Sequence, residues 1–445
     1  MKKGTLLISC VFMILLAGEG CGVIEQQIAI NSITPSQGST RGGAEITING
    51  LGFDSGSTVT FGERQAEIVS VEGSQIVAVL PSSGGTTGAV DVTVDNSEGF
   101  TITRQGGFTY ASLLAVVNWQ SNDVGLLGVN SEDQTLTAAA SSPFSPQGIA
   151  PRGLAYDATD DLLFVTNGNS QTMMVFDVTF ADEKLTAVAG SPFAVNAVGP
   201  VAVALDNSLK LAFTANNTSS TISIFSYDAN TGVPTLLGTK ASSGTGPLDI
   251  ACDPGTRLVF VANDTTSTLS VFSYDANGTM TEIAGSPRGV GGTNPAGIAL
   301  DHARRLIYIA NQGSANMSAF KYDAAGALTN VAGTPFSSNG TTPYDIVLDT
   351  TRGFLFVANS GSSTVISYTY DSTGALTHVA SGQTGANGTL PMALALDTEH
   401  NALFIANRGS NDIQVKTYDE AAMLSNAGNA VGSGGTGPFN IAFIP

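Results

Sequence analysis

Cysteine, tryptophan and basic residues are scarce in this chain of 445 residues. It has three cysteines, one tryptophan and three histidines, and only 17 lysines and arginines against 36 aspartates and glutamates, for a formal net charge of −19. Nucleic-acid binding draws its affinity from clustered Lys and Arg, so no nucleic-acid partner is expected. Hydrophobic residues make up 42% of the chain, which is ample for packed cores and argues against disorder.

The N-terminus has the layout of a secretory signal. Lys2 and Lys3 precede an uncharged, mostly apolar stretch over 5–17, which is too short to span a membrane. Residues 1–20 are therefore predicted to be a signal peptide and residues 21–29 a linker. The position of Cys21 resembles that of the lipidated cysteine of bacterial lipoproteins. Simple cleavage of the signal peptide, without lipidation, is the alternative. We expect an exported protein of the bacterial cell envelope, outer membrane or surface, held at the membrane by a lipid anchor only.

The remaining cysteines permit no internal disulfide. Cys10 lies in the signal, so Cys252 is the only cysteine in the folded region, and the exported chain must rely on packing. Cys252 follows Ile250 and Ala251 in an apolar run. It is interpreted as a small buried hydrophobe and not as a nucleophile.

Glycine, with 52 residues, is abundant, and turn residues separate short β-branched runs over 30–110. The clearest runs are 45–48, 58–61, 76–79 and 90–94, a spacing typical of a β-sandwich. The segment carries Ile33-Thr34-Pro35, Gly50-Leu51-Gly52-Phe53 and Phe108-Thr109-Tyr110, and with these motifs it resembles the IPT/TIG immunoglobulin-like family. The resemblance implies a spacer or binding module without catalytic residues.

Residues 111–445 contain an internal repeat. An asparagine ends a hydrophobic run every 47 to 49 residues, at Asn118, Asn167, Asn216, Asn263, Asn311, Asn359 and Asn407. In the last six units an aspartate precedes it by ten residues and a proline by sixteen. Each unit has four strand-length runs, so the repeat predicts a seven-bladed β-propeller. The fold class is therefore all-β.

The end of the chain is predicted to close the ring. The first unit lacks its proline strand, and residues 438–443 repeat that strand at the C-terminus. We expect one C-terminal strand to join three N-terminal ones in the same sheet, which removes two open edges. The strand after each proline is apolar at consecutive positions and is expected to be buried on both faces. The hairpin turns, such as 275–278, are interpreted as Asp-Gly turn chemistry and not as calcium sites.

The phrases Phe-Val-Ala-Asn, Ser-Tyr-Asp and Ala-Gly-Ser-Pro-Phe, the last at 189–193, resemble the lactonase-type propellers related to 6-phosphogluconolactonase and their YVTN-repeat surface relatives. The resemblance implies the fold but not the activity. Lactone hydrolysis needs a general base and cationic groups, whereas His302, His378 and His400 occupy dissimilar repeat positions. No catalytic residue, metal site or cofactor is therefore predicted.

The residues just after the prolines are candidates for a ligand site at one end of the central channel. Most are small or apolar, and Arg152, Asp249, Asp345 and Asn440 are the polar exceptions. They could bind a small ligand, or they could hydrogen-bond backbone with no ligand. Trp119 is expected on the same side, either stacking on a sugar or wedged between sandwich and propeller.

The sequence thus predicts a binding or scaffold protein whose partner is an unidentified envelope protein or glycan. A lactonase-type hydrolase is the alternative. Two matters stay open at this point: the oligomeric state, and whether the sandwich docks on the propeller or swings on a short linker near 110–112.

Overall fold

The computed structural model describes residues 28–379, 384–385 and 387–445. The predicted signal peptide and Cys21 lie outside the described residues. The described part of the chain consists of β-strands, turns and loops. It contains no helix that is long and apolar enough to cross a membrane.

The N-terminal domain is a sandwich of two sheets. Its strands are β1 (Ala29–Thr34), β2 (Gln37–Ser39), β3 (Glu45–Leu51), β4 (Thr58–Phe61), β5 (Arg64–Gln65), β6 (Glu67–Glu72), β7 (Gln75–Val79), β8 (Gly88–Asp95) and β9 (Thr101–Asn118). One sheet has the order β1-β3-β7-β6, and the other runs from β9 through β8 and β4 to β5. Alternate side chains of β3, β4, β7 and β8 point inward, and Ile46, Val59, Phe61 and Phe108 fill the core.

The remaining strands form seven sheets. Blade 1 consists of part of β9, β10 (Asp123–Val129), β11 (Leu136–Ala138) and the last strand of the chain. Blades 2 to 4 contain β12 (Pro151–Asp157), β13 (Leu162–Asn167), β14 (Thr172–Thr179), β15 (Lys184–Ala187), β16 (Phe193–Ala194), β17 (Pro200–Asp206), β18 (Leu211–Asn216), β19 (Thr221–Tyr227), β20 (Pro234–Ala241), β21 (Pro247–Asp253), β22 (Leu258–Asn263), β23 (Thr268–Tyr274), β24 (Met280–Glu282) and β25 (Arg288–Gly289). Blades 5 to 7 contain β26 (Pro295–Asp301), β27 (Leu306–Asn311), β28 (Asn316–Tyr322), β29 (Leu328–Asn330), β30 (Phe336–Ser337), β31 (Pro343–Asp349), β32 (Phe354–Asn359), β33 (Thr364–Tyr370), β34 (Leu376–His378), β35 (Thr384–Gly385), β36 (Pro391–Asp397), β37 (Ala402–Asn407), β38 (Asp412–Tyr418), β39 (Leu424–Asn426) and β40 (Val431–Gly432). The chain ends with β41 (Pro438–Ile444).

The predicted closure of the ring is confirmed. β41 pairs antiparallel with β9, with Pro438 opposite Asn118 and Ile444 opposite Leu113. It is therefore the innermost strand of blade 1. The inner strands β12, β17, β21, β26, β31, β36 and β41 contact one another in turn, and β12 contacts β41. The ring is thus complete, with no blade edge left at the junction of its two ends.

Burial differs from the sequence-based expectation in one respect. The second strands of blades 2 to 7, such as β22 and β27, are buried at every position, whereas the inner strands keep half-buried residues. Leu300 of β26 and Leu396 of β36 are examples. The inner strands line the central channel and the end faces of the ring, so only the second strands are covered on both faces. The prediction that the inner strands are buried on both faces was therefore wrong in part.

The repeated asparagines and aspartates have structural roles. All seven asparagines are fully buried, and Asn263 donates from Nδ2 to the hydroxyls of Thr268 and Ser270 on the next strand. Asp275 accepts the backbone N–H groups of Asn277 and Thr279 within its turn. Gly278, with φ of 77°, supplies the left-handed turn position. The turn interpretation is confirmed.

Buried Asp–Tyr hydrogen bonds connect neighbouring blades. The aspartate that ends an inner strand accepts the hydroxyl proton of the tyrosine that ends the third strand of the next blade, at 2.7–3.1 Å. The five pairs are Asp157–Tyr227, Asp206–Tyr274, Asp253–Tyr322, Asp301–Tyr370 and Asp349–Tyr418. These Asp–Tyr bridges run from blade 2 to blade 7 and fix each blade against its successor.

Blade 1 is held differently on its two sides. Ile444 ends the inner strand of blade 1, at the position where the other inner strands have an aspartate. It packs with Val178 and Phe180 of blade 2. At the boundary between blades 7 and 1, Asp397 bonds within its own blade, to His400 Nδ1 at 2.8 Å. Apolar packing thus replaces the Asp–Tyr bridge at the boundary between blades 1 and 2.

The sandwich docks directly on the propeller. β9 is one strand of 18 residues that belongs to the sandwich at its start and to blade 1 at its end. Beside it, Thr40 and Ser112 share a hydroxyl hydrogen bond of 3.2 Å, and Thr87 bonds to Ser131. Ser39 also bonds to the carbonyl of Pro445. A swinging linker near 110–112 is therefore excluded.

We predict that Tyr322→Phe lowers the free energy of unfolding by about 1–2 kcal/mol, because buried Asp253 loses a hydrogen-bond donor. Urea unfolding followed by circular dichroism measures the change. Tyr344→Phe is the matched control, since no hydrogen bond of the Tyr344 hydroxyl occurs in the described part of the chain. Equal stability of Tyr322→Phe and the parent would show that the Asp–Tyr bridges do not stabilise the ring.

Candidate ligand-binding site

The channel mouth is the end of the central channel at which the inner strands begin. After the proline of β21, β26, β31, β36 or β41, the ladder to the second strand shifts register. Such a bulge re-aims side chains. Residues one and two positions after the proline consequently surround a cavity of about 60 Å³, which includes Asp249, Tyr344, Asp345, Phe439 and Asn440 in its lining.

Two of the predicted site residues connect inner strands. Asp249 Oδ1 accepts the N–H of Ile250, and its Oδ2 accepts the N–H of Ile298 on the next blade at 2.8 Å. Asp345 repeats this arrangement with Ile346 and with Leu394 of the next blade. Both carboxylates therefore help to hold the ring together, whatever else they bind.

Burial shifts the pKa of both carboxyl groups upward. Removal from bulk water raises the pKa of Asp249 and that of Asp345 to about 7, against the lowering effect of their backbone hydrogen bonds. Their remaining accessible surface faces the small channel cavity, so protein atoms surround them even though they are not fully covered. Near neutral pH each group is thus poised between its acid and its carboxylate.

Asn440 occupies the equivalent place in blade 1. Its Oδ1 accepts the N–H of Ile441 at 2.8 Å. Small residues lie between these polar ones. At Gly297 a larger residue would clash, because a Cβ there would lie 2.8 Å from the carbonyl oxygen of Tyr344. The alternation leaves space for the Asp345 side chain against β26.

Arg152 lies at the rim of the same mouth with a second arginine. Its guanidinium carbon is 5.7 Å from the ring centroid of Trp119 and 5.3 Å from that of Phe439. Arg408 contacts the same two rings, at 4.6 and 6.0 Å. We call these four side chains the arginine–aromatic cluster; they come from blades 7, 1 and 2. Guanidinium groups over aromatic faces are favourable cation–π pairs.

The arginine–aromatic cluster adjoins the cavity that the carboxyl groups line. Tyr344 packs edge-on against Phe439, with ring centroids 5.8 Å apart. Burial raises the pKa of Tyr344, the charges of both arginines lower it, and those of Asp249 and Asp345 raise it again. All four charged groups therefore act on one phenol, and the structure brings Arg152, Asp249, Asp345 and Asn440 together around one mouth.

Arg408 was not predicted from the sequence, although a signal existed. It follows Asn407 directly, as Trp119 follows Asn118. Trp119 and Arg408 thus share one position of the repeat, and both lie at the rim of the mouth. Trp119 itself lies at the end of β9 away from Ser112, where the sandwich contacts are made, so it is not wedged between the two domains.

The histidines and Cys252 lie elsewhere. His302 Nδ1 is 3.2 Å from Asp253 Oδ1, and His400 pairs with Asp397, both at the end of the ring opposite to the mouth. His378 packs on Tyr368 on an outer strand. Burial raises the pKa of the Cys252 thiol to about 12, which keeps it protonated and unsuited to nucleophilic attack. Among the described residues, no group of three or more His, Cys, Asp or Glu side chains could hold a metal ion.

Comparisons with known proteins agree with this architecture. The family model for the IPT/TIG domain matches residues 29–110, and the model described as lactonase, 7-bladed beta-propeller, matches residues 191–289 and 243–389. The chain thus contains a domain that matches the IPT/TIG family, followed by a propeller that matches the lactonase-type family over part of its length. Both sequence resemblances are thereby confirmed.

Solved structures share the fold of the lactonase-type propeller at low sequence identity. The periplasmic gluconolactonase of Pseudomonas aeruginosa is 16% identical with a TM-score of 0.65, covering 75% of this chain and 99% of that one. A candidate 6-phosphogluconolactonase of Bacteroides fragilis is 17% identical with a TM-score of 0.66, covering 75% and 98%. A functionally unknown protein of Desulfotomaculum acetoxidans is 18% identical with a TM-score of 0.60, covering 75% and 98%.

A curated relative matches only a short segment. Fibrocystin-L of Homo sapiens is 38% identical over 66 residues, which is 15% of this chain. The chain spans about 2% of the length of that protein.

We predict that the free energy of unfolding falls as the pH rises from about 4 to about 7. The folded-state pKa of Asp249 and of Asp345 lies above the unfolded value, so the folded state binds more protons and loses this advantage on ionisation. Urea unfolding at several pH values measures the slope. Asp345→Asn is expected to flatten it, whereas Asp182→Asn, an exposed control, is not. A wild-type stability that rises over this interval contradicts the prediction.

Proposed function

We propose that this protein is an exported envelope protein whose propeller binds a ligand at the channel mouth. The observation that carries the proposal is the arginine–aromatic cluster, in which Arg152 and Arg408 lie on the faces of Trp119 and Phe439 beside a polar cavity. Aromatic and arginine side chains that converge on a concave site are typical of binding surfaces. The partner is an envelope protein or a glycan.

We favour ligand binding over a purely structural role of the ring, because the two arginines of the mouth make no ion pair within the described part of the fold. Among the described residues, neither guanidinium has an aspartate or glutamate oxygen within 4.0 Å. Arg304 and Arg352, at the opposite end of the ring, each pair with a buried aspartate. Arg152 and Arg408 thus have no carboxylate partner among the described residues and can meet an external one.

Export and lipid attachment are supported by the N-terminal sequence. Lys2 and Lys3, the apolar stretch over 5–17 and Cys21 follow one another in the order of a lipoprotein signal. The −19 charge favours solubility outside a membrane but selects no partner.

A lactone hydrolase is the second candidate function. Its support is the likeness to the lactonase family together with the pKa of about 7 of Asp249 and Asp345, a value suited to a general base. Against it, both carboxyl groups accept two backbone N–H groups each. Each histidine also lies away from the mouth. We therefore favour binding.

We predict that Cys21 carries the lipid. In a bacterial host, the full chain should incorporate labelled palmitate and sediment with membranes, whereas Cys21→Ser should do neither. Cys252→Ser is the matched control and should behave as the parent, because the Cys252 thiol packs within blade 4 against Tyr274. Labelling that survives Cys21→Ser would contradict the lipid anchor.

We predict that a pull-down from the source envelope recovers a protein or glycan through the mouth. Arg152→Gln and Arg408→Gln should each reduce recovery by about tenfold or more, because each removes a charge-assisted hydrogen-bond donor. Lys321→Gln, which removes an exposed charge from β28, should not. If both mouth variants recover as much partner as the parent protein, the proposal is contradicted.

The same protein distinguishes binding from hydrolysis. Incubated with simple and phosphorylated sugar lactones, it should show no turnover above background. Hydrolysis that is abolished by Asp249→Asn or Asp345→Asn but retained by Asp182→Asn would establish the hydrolase instead. Circular dichroism of each variant confirms that its ring is folded.

A further inference from the structure

We infer that the channel mouth is a receptor for the carboxylate of a small hydroxylated molecule, with Arg152 and Arg408 binding the carboxylate and the polar cavity binding hydroxyl groups. This inference rests on the proposed function and specifies its ligand class. Arg152 and Arg408 carry it, because both lie on the same two aromatic rings.

The mouth concentrates positive charge in a strongly acidic protein. The chain has only 17 basic residues, yet Arg152 and Arg408 contact the same two aromatic rings. Burial, and to a smaller extent the like charge of Arg408, lower the pKa of Arg152. Holding two like charges together is unfavourable unless an anion offsets them, and no anionic side chain of the described residues pairs with either.

The aromatic rings orient these guanidinium groups. Trp119 and Phe439 each contact both arginines through their faces, which leaves the N–H groups at the guanidinium edges to donate. A guanidinium presents paired N–H groups that match the two oxygens of a carboxylate. The arginine–aromatic cluster therefore fits a planar oxyanion, and Trp119 and Phe439 are positioning residues.

The cavity beside the cluster fits hydroxyl groups. Each carboxylate oxygen of Asp249 and Asp345 accepts one backbone N–H, which leaves a second lone pair on each oxygen. Asn440 uses its Oδ1 on Ile441 and keeps its amide donors. A volume of about 60 Å³ admits a hydroxyl or a water but not a sugar ring. The body of the ligand must therefore lie at the rim.

The acidic groups near the arginines reduce the advantage of a more highly charged anion such as phosphate. Asp249 and Asp345 act on Tyr344 together with both arginines, so an anion at the cluster also meets these acidic groups. A phosphate group carries about −1.5 to −2 charges at neutral pH, whereas a carboxylate carries one. The dianion is repelled more strongly by ionised Asp249 and Asp345, which offsets its stronger attraction to the two arginines.

The test is calorimetric titration of the purified protein with ligand pairs that differ in the carboxylate. D-galacturonate and D-glycerate are the carboxylates, D-galactose and glycerol their neutral counterparts, and inorganic phosphate the competing anion. The carboxylates should bind with a Kd below about 1 mM, and the other three at least about tenfold more weakly. Added salt should weaken carboxylate binding.

Substitutions of the two arginines distinguish the effect of their charge on ligand affinity from any effect on folding. Arg408→Gln should weaken carboxylate binding by about tenfold or more and Arg408→Lys by less, because Lys keeps the charge but not the paired donors. Arg152→Gln should act like Arg408→Gln, with thermal melting as the check on folding, and Lys321→Gln should change nothing.

Three results would overturn the inference: neutral sugars or phosphate binding as tightly as the carboxylates, unchanged binding in both arginine variants, or no binding of either carboxylate at about 10 mM. In each case the proposed function stands if the envelope pull-down still depends on Arg152 and Arg408. It fails with the inference if that pull-down is insensitive to both residues.

Discussion

The hydrogen-bonded pairing of β41 with β9 is the constraint on which the rest of the structure depends. It unites residues more than three hundred positions apart and turns a row of blades into a ring. The channel exists only because the inner strands meet around an axis, and the mouth residues converge only because the channel is closed. Phe439 and Asn440 show the dependence directly, since both belong to the closing strand and both line the mouth.

The blades are then locked by polar contacts as well as by apolar packing. Apolar side chains of neighbouring blades pack together and fill the cores between the sheets. Between blades, buried aspartates accept tyrosine hydroxyls on one end of the ring and backbone N–H groups near the other. Buried carboxylates are costly unless they are hydrogen-bonded. The five of the Asp–Tyr bridges are bonded across a blade boundary, whereas Asp397 is bonded to His400 within blade 7. Such contacts fix the rotation of each blade relative to its neighbour.

Much of this could be predicted from the sequence because the repeat has a nearly constant spacing. The interval between asparagines predicted the number of blades, and the final Pro438 strand predicted the closure. The positions after each proline predicted which side chains surround the mouth. Periodicity is a local property of the chain, so these features needed no knowledge of distant contacts.

Features that follow no repeated pattern along the chain could not be predicted. Arg408 and Arg152 are separated by most of the propeller in sequence, and only closure places them on the same two aromatic rings. The half-burial of the inner strands reflects the channel, which no apolar run encodes. Docking of the sandwich likewise depends on Thr40 and Thr87 meeting Ser112 and Ser131, hydroxyl contacts with no distinctive pattern along the chain.

The undivided strand β9 has a geometric consequence for how the molecule stands at a surface. The sandwich lies at the end of the ring opposite to the mouth, and the described chain enters that sandwich at its N-terminal strand. A tether attached ahead of β1 would therefore hold the ring through the sandwich, on the side opposite to the mouth. The receptor opening would then face outward into the medium, with a stiff ribbon and not a hinge setting its direction.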